Sequence, residues 1–585
     1  MRNPYINLIM NSYRFAKDKR KYFVLCIIFF VIANAIYLLQ PFLFGQLLNI
    51  IQKGGPDMFH DFTVMLLLYS VIPFFFWIFH GNGRIMERLT AFHISKNFKE
   101  YIFETVTKMP FKWHADNHSG ETINKINKAT NALERFSDEQ FVYIETIIRF
   151  FGSLVGIAVI SYYLSIYLAI STVFVVIIIL MFDSKLVKQY DEIFKKEHKV
   201  ASLLHDYVSN IRTVITLHFE NLAKNELVRK IFDMFPVKKK NFILNEFKWF
   251  SVNMFISALE FGAIFAYGYY TFGKEGAILI GNLVILFQYL DKFTGTFFNF
   301  AWQYETIVKL NSELLTSEYI VNDYLKLHAI DKAHQVEDWQ EIRIEGLNFK
   351  YDTKQKSQTL KNISLSIRKG EKIAFVGESG SGKSTMLSII KGLYETDDLS
   401  ISVDGKIYAN SNILSNITTL IPQDPEIFEN TLGYNVTFGI EADENEINRS
   451  IALARFDNVL KRLKRGLETN IKEKGVNLSG GEKQRLALAR GIFSAQGRSI
   501  IILDEPTSSV DSVNELAIYK NIFSEFNDKC IISSIHKLHL LPMFDKIYLF
   551  DNGEIIESGT FDGLMKQGGT LKTTWDSYMQ SNSES

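Results

Sequence analysis

The run Gly377-Glu378-Ser379-Gly380-Ser381-Gly382-Lys383-Ser384-Thr385 carries the clearest chemistry in this chain. Its pattern, G-x-x-x-x-G-K-[ST], makes a phosphate-binding loop, and its setting fits. A strand-like apolar run, 372–376, leads in, and a helix-like run, 385–392, leads out. Backbone N–H groups close around an anion, and the helix start adds partial positive charge. Lys383 is placed to reach the outer phosphates, and the Ser384 hydroxyl to sit on Mg2+. Residues 499–505 read as a buried parallel strand ending in two acids. Asp504 suits the Mg2+ shell, and Glu505 suits polarising the water that attacks the γ-phosphate. A third element, Leu478-Ser479-Gly480-Gly481-Glu482-Lys483-Gln484-Arg485, opens a helix reaching about Phe493. Ser479 caps it, and Gly480 and Gly481 permit close backbone approach. That is a second anion site. Since the loop at Lys383 already holds phosphates, the natural ligand of Ser479 is the ATP of a second copy of the chain.

These groups need an α/β scaffold, and the last part of the chain reads as one. From 340 onward, apolar strands alternate with helices, beginning with the alternating run Glu341-Ile342-Arg343-Ile344-Glu345. The expected division is 1–325 for a transmembrane domain, 326–339 for a linker and 340–585 for the nucleotide domain, with a polar tail, 581–585, left unstructured. The 585 residues exceed one soluble core, and 47% of them are hydrophobic. Lys+Arg and Asp+Glu are both 64, a balance that speaks against a nucleic-acid partner. Cys26 and Cys530 lie in regions of opposite character and support neither a disulfide framework nor a zinc site.

Before 330, long apolar runs alternate with charged helical stretches. Charge-free runs cover 22–52 and 62–83. The run 150–182, with its lead-in from Phe141, is long enough for two spans reversing near 161–165. Two more runs, 249–272 and 277–304, are separated by the loop 273–276. The expected total is six membrane spans. The cations Arg2, Arg14, Lys17, Lys19, Arg20 and Lys21 place the N-terminus in the cytoplasm. Segments 84–140 and 183–246 then face inward as helical extensions of the spans. Each is expected to bend back once, near 110–120 and near 206–212. Ile94, Phe98, Ile102, Val106 and Met109 share one helix face.

With these motifs in place, the chain resembles ATP-binding cassette (ABC) transporters, specifically half-transporters of the exporter type. Residues 478–485 resemble that family's signature motif, with Glu482 where Gln is commonest. The resemblance implies further roles. Gln423 matches the loop glutamine that senses Mg2+ and contacts the membrane domain. Ser508-Ser509-Val510-Asp511 is similar to the D-loop, His536 to the switch histidine on the γ-phosphate, and Tyr351 to the aromatic that stacks on adenine. Glu473 occupies an exporter-type position that touches the coupling helices. The implied protein is an ATP hydrolase coupled to transport, using ATP and Mg2+, multi-pass in a membrane such as the bacterial inner membrane, with both termini cytoplasmic. Its partners would be membrane lipid, an unknown exported substrate, and a second half-transporter, a homodimer favoured over a heterodimer. An importer remains the rival within transporters, and an ATP-gated channel or sensor the rival outside them.

Charges inside spans are costly unless they face a wet cavity or a partner. Glu260 and Asp291 are therefore either members of a structural ion pair, with Glu260 a candidate partner for Lys292, or candidates for the substrate path, where one of them selects a cationic or zwitterionic group. Phe111 and Trp113, large apolar residues in a wet segment, are expected to dock near Gln423 and Glu473.

Overall fold

A computed structural model gives the structure of the chain. It describes residues 3–583 apart from 118, 328–335, 337, 352–358, 395, 397, 409–410, 425 and 472–477. The chain divides into two compact units, Met1–Lys108 with Ser119–Leu325, and Met109–His118 with Lys326–Ser585.

The first unit is helical. Its elements are α1 (Pro4–Ala16), α2 (Arg20–Tyr37), α3 (Gln40–Lys53) and α4 (Met58–Thr107), then α6 (Ser119–Asp138), with the short α5 (Phe111–Asp116) assigned to the other unit. There follow α7 (Gln140–Ile160), α8 (Tyr162–Ser209), α9 (Ile211–Thr216), α10 (Glu220–Phe232), α11 (Phe235–Glu275) and α12 (Ile280–Leu327). Pro41 at the start of α3 interrupts the first charge-free run, which is two helices rather than one. Ser161 alone, in an extended conformation, separates α7 from α8. Gly276 ends α11 at φ +70°, a left-handed cap that suits glycine, so the separating loop is 276–279 and Gly273 lies within the helix.

Among the described residues, five helical stretches are long and apolar enough to cross a membrane, within Pro4–Lys53, Met58–Thr107, Gln140–Ile160, Tyr162–Ser209 and Glu220–Lys274. The 48-residue α12 is as long, but Asp291 and Lys292 interrupt its apolar stretch. The 50 residues of α4 extend about 75 Å at ~1.5 Å per residue, far beyond a hydrocarbon core of ~30 Å. Burial follows that division. The lower half of α4 buries Ile94, Phe98 and Ile102 in a cluster with Leu8, Phe15, Leu133 and Leu314, while Phe74, Phe75 and Trp77 in its upper half are exposed. The expected bends fall after Thr107, where Pro110 precedes α5, and at Asn210 between α8 and α9.

The second unit is an α/β domain. Its strands are β1 (Glu341–Phe349), β2 (Leu360–Arg368), β3 (Lys372–Val376), β4 (Ser400–Val403), β5 (Lys406–Tyr408), β6 (Thr418–Ile421), β7 (Asn430–Thr431), β8 (Asn470–Ile471), β9 (Ile500–Asp504), β10 (Cys530–Ser534), β11 (Lys546–Asp551) and β12 (Glu554–Gly559). The helices are α13 (Lys383–Ile390), α14 (Leu432–Thr437), α15 (Glu444–Leu453), α16 (Asp457–Arg462), α17 (Gly480–Ala495), α18 (Ser512–Glu525), α19 (Phe561–Gln567) and α20 (Thr570–Ser583). The main sheet has the order β12-β11-β3-β10-β9-β6, parallel except for the β11–β12 edge. A smaller antiparallel sheet runs β2-β1-β4-β5.

Every residue of β3 and β10 is buried, as expected of parallel strands covered on both faces. Period-two alternation divides them between two cores. Ala374, Val376, Ile501, Leu503 and Ile531 enter one, and Ile373, Phe375, Ile500, Ile502 and Ile532 enter the other. Each such Val, Ile, Leu or Phe side chain contributes about 1.5–3 kcal/mol of burial. Trp339, within the expected linker, is buried in the second core, and its Nε1–H donates to Ser499 Oγ at 2.9 Å. The expected unstructured tail is corrected in part: α20 continues to Ser583, anchored by Trp575 and Tyr578 against the first core.

Candidate nucleotide site

Four adjacent parallel strands deliver the site from their carboxyl ends, where open α/β sheets bind ligands. β3 runs into Gly377, β9 ends in Asp504 with Glu505 next, β10 leads to His536, and β6 leads to Gln423. Gly377 takes φ +147°, and a Cβ there would lie 2.2 Å from the Phe550 carbonyl oxygen, so only glycine fits. Lys383 starts α13 and is buried; its ammonium donates to the carbonyls of Gly377 (2.7 Å) and Glu378 (2.9 Å). Burial pulls the Lys383 pKa below its ordinary value, opposed by the nearby carboxylates of Glu505 and Asp504. Ser379, Gly380 and Gly382 complete the loop, and Ser381 Oγ is buried within it without a hydrogen-bond partner. A loop that encloses an unsatisfied hydroxyl beside a buried ammonium fits a phosphate ligand.

The acidic end is tightly organised. Ser384 Oγ donates to Asp504 Oδ1 at 3.0 Å, and Ser534 Oγ donates to the same oxygen at 2.8 Å. Ser534 Oγ also accepts the Glu505 backbone N–H at 3.0 Å. Glu505 sits at φ +47°, a conformation that costs a non-glycine residue about 1 kcal/mol or more. Gln423 Nε2 donates to Glu505 Oε2 at 2.8 Å, and His536 Nε2 lies 2.8 Å from Glu505 Oε1. Both oxygens of the expected base are thus held. Ser384, Asp504 and Gln423 supply the oxygen donors that a hard ion such as Mg2+ takes. Among the described residues no group of three or more His, Cys, Asp or Glu could hold a metal ion.

The helix α17 begins where the signature predicts. Ser479 is its N-cap and forms a reciprocal capping box with Glu482: Glu482 N–H donates to Ser479 Oγ (3.3 Å), and Ser479 N–H donates to Glu482 Oε2 (2.8 Å). Glu482 also receives Arg462 at 2.5 Å. Burial pushes the Glu482 carboxyl up, but the Ser479 and Arg462 hydrogen bonds outweigh it and hold the group below its usual range. The departure from Gln therefore keeps the cap and adds an ion pair. A Cβ on Gly481 would approach the Ser509 carbonyl to 2.8 Å, whereas Gly480 faces open space. Among the described residues, no hydrogen bond or ion pair joins Ser479, Gly480 or Gly481 to the loop 377–385. Asp511 caps α18 through Asn514 rather than meeting the loop.

Three contributors were not singled out in the sequence. Ser534 faces Asp504 because β10 and β9 pair Ser534 with Asp504 in register. Gln484 bridges Ser508 Oγ (2.7 Å) and the Ser509 N–H (2.8 Å), tying α17 to the segment after Glu505. Tyr394 packs on Tyr351 and on Phe111, with ring centroids 5.1 and 5.6 Å apart. The hydroxyl of Tyr351 lies 2.8 Å from Thr385 Oγ1. Phe111 meets Tyr394, while Gln423 is engaged with Glu505; Glu473 lies outside the described residues. In the helical unit, Glu260 accepts from Thr294 Oγ1 at 2.7 Å, while Lys292 lies over the Tyr37 ring, so the expected Glu260–Lys292 pair is replaced by these contacts.

Fold and site together define a multi-pass membrane protein fused to a P-loop ATPase. Two family models match the chain: ABC transporter transmembrane region over residues 23–297 and ABC transporter over residues 360–508. The chain belongs to the ABC transporter family, as a half-transporter that couples ATP hydrolysis to transport across a membrane. It is similar to the microcin-J25 export ATP-binding/permease protein McjD of Escherichia coli, with 26% identity over 96% of this chain and 97% of that one. It is also similar to the ABC transporter ATP-binding protein YfiC of Bacillus subtilis, with 24% identity over 96% and 93%. Among solved structures, a bacterial Atm1-family ABC exporter with ATP bound shares the fold, at a TM-score of 0.79, 20% identity, and coverage of 95% of this chain and 98% of that one. The fold is thus of the exporter type.

Proposed function

We propose that two copies of this chain form an ATP-driven exporter of the bacterial inner membrane, with both termini cytoplasmic. The observation that carries this reading is the convergence of Lys383, Asp504, Glu505, Gln423 and His536 at the ends of four neighbouring strands. Lys383 and the loop hold the phosphates of ATP. Ser384, Asp504 and Gln423 hold Mg2+, which when bound neutralises charge on the phosphates. Glu505 accepts the proton of the attacking water, His536 orients Glu505 and contacts the γ-phosphate, and Tyr351 stacks on the base. Ser479–Gly481 and Asp511, which among the described residues have no bond to their own loop, serve the nucleotide of the second copy. The exposed Ile211, Ile215 and Leu217 on and after α9 support a partner surface. The apolar part of α12 serves as a sixth span, and Glu260 and Asp291 remain candidates for the cargo path. ATP must favour the closed dimer for binding to drive the change.

Glu505→Gln should retain ATP binding and lose hydrolysis by about 100-fold or more, in line with removal of an acid–base group. Lys383→Ala should instead weaken nucleotide binding. Both are measured on purified protein in proteoliposomes with radiolabelled ATP, and wild-type turnover in Glu505→Gln would remove Glu505 from the role.

A further inference from the structure

The backbone of Glu505 is held at φ +47°, so the chain that follows it must be fixed by its surroundings. Two residues further on, the Thr507 hydroxyl donates to Glu515 Oε1 at 2.7 Å, and both side chains are buried. Glu515 lies in the first turn of α18, where the helix start favours a carboxylate. Its other oxygen, Oε2, lies 3.2 Å from Lys537 Nζ and 3.8 Å from His539 Nε2. Lys537 directly follows His536 in the chain, and its ammonium also donates to the Val510 carbonyl at 2.9 Å. His536 Nε2 in turn lies 2.8 Å from Glu505 Oε1.

These contacts close on themselves. From Glu505 the path runs along the chain to Thr507, across to Glu515, across to Lys537, along the chain to His536 and back to Glu505. All five residues line one cavity of about 120 Å³. On the side that faces this hollow, neither the Glu505 carboxylate nor the His536 imidazole is fixed by close-packed neighbours, so the polar ties around it set their positions. Glu515 is the buried charge in that ring, and a buried carboxylate needs a cation. Among the described residues Lys537 is the only lysine or arginine that pairs with it.

We infer that Glu515 and Lys537 are positioning residues for ATP hydrolysis. Their ion pair holds His536 on one side and the segment 507–510 on the other, and so fixes the Glu505 carboxylate between them. The inference rests on Glu505 being the base, as proposed above. Because the pair acts through Glu505 and His536 and not through the phosphate loop, its loss shows in turnover and not in affinity.

Steady-state ATPase and binding of radiolabelled ATP are measured on the full chain in proteoliposomes. Lys537→Met should lower kcat about tenfold and leave the KM for ATP within about twofold, because a misplaced base slows the chemical step while the phosphate loop keeps its own bonds. Lys537→Arg, which keeps the charge and the donors, should recover most of the rate. Glu515→Gln keeps the shape and the acceptor for Thr507 but removes the charge, and kcat should fall as far as in Lys537→Met. Combining the two should lower kcat no further than either alone, since each opens the same ring. ATP binding verifies that each variant is folded, and if Glu515→Gln does not fold, Lys537→Met with Lys537→Arg decides the matter. A wild-type kcat in Lys537→Met, a loss of ATP affinity with kcat preserved, or multiplied losses in the double variant overturns the inference. Wild-type turnover in Glu505→Gln would remove the base itself, whereas wild-type turnover in Lys537→Met removes only the positioning pair, so the two failures are distinguishable.

Discussion

Ser534 is the small residue on which the acidic end of the site turns. One hydroxyl donates to Asp504 and accepts the backbone N–H of Glu505, so it fixes the ion ligand and the base together. Ser534 is buried, and removing its hydroxyl leaves the Glu505 N–H without a partner next to a backbone already in the left-handed region. A buried group left unpaired costs about 1–3 kcal/mol, which here loosens the geometry rather than the fold. Ser534→Ala should lower kcat about tenfold while leaving the KM for ATP nearly unchanged, since the phosphate loop keeps its own bonds. A fall in affinity with kcat preserved would place Ser534 in nucleotide binding instead. Ser534→Thr, which restores a hydroxyl, should recover part of the rate.

At the level of elements, the short α5 is the informative piece. It lies in the chain among membrane-unit helices but clusters with the nucleotide domain. Phe111 meets Tyr394, Tyr394 meets Tyr351, and Tyr351 reaches Thr385 in the phosphate loop. Trp113 is buried at 8% exposure, while Phe111 is half exposed and sets its ring edge against Tyr394. A rigid aromatic contact transmits displacement better than a flexible one, because packed rings have few alternative positions. Phe111→Ala combined with Trp113→Ala should leave basal ATPase within about twofold and reduce transport per ATP by tenfold or more. Parallel measurement of phosphate release and cargo uptake in inverted vesicles decides it, and normal transport in the double variant would assign α5 a packing role alone.

For the whole molecule, the property to test is the proposed division of the site between two chains. Ser479 caps α17 with Gly480 open to solvent, and its bonding is complete within its own helix start. A mixed dimer carrying Lys383→Ala in one chain and Ser479→Arg in the other should keep one intact composite site and about half the wild-type ATPase, provided the two sites turn over independently. Placing both changes in one chain should spoil both sites. Purified tandem-tagged dimers allow the comparison; equal activity in the two arrangements would argue against a trans role for Ser479, and the reverse order would place Ser479 in its own chain's site.

Much of the site was legible in the sequence because local geometry dictates it. The loop 377–385 needs glycine at fixed offsets, Ser479 must precede a helix, and the acids must end an apolar strand; each requirement is written in adjacent residues. The lower face of α4 was legible for the same reason, since a helix repeats every 3.6 residues. Other features depend on which strands and helices become neighbours. Ser534 matters only through its register opposite Asp504, and Tyr394 only because the fold brings Phe111 and Tyr351 to it. Charge pairing inside the helical unit depends on the fold for the same reason: Glu260 meets Thr294, and Lys292 meets Tyr37 from a helix more than 250 positions earlier. The sequence by itself determined the chemistry of the nucleotide loop and the division into a membrane part and an ATPase part. Only the tertiary structure decided which partners the charged side chains take, because short-range periodicity carries no information about contacts between distant elements.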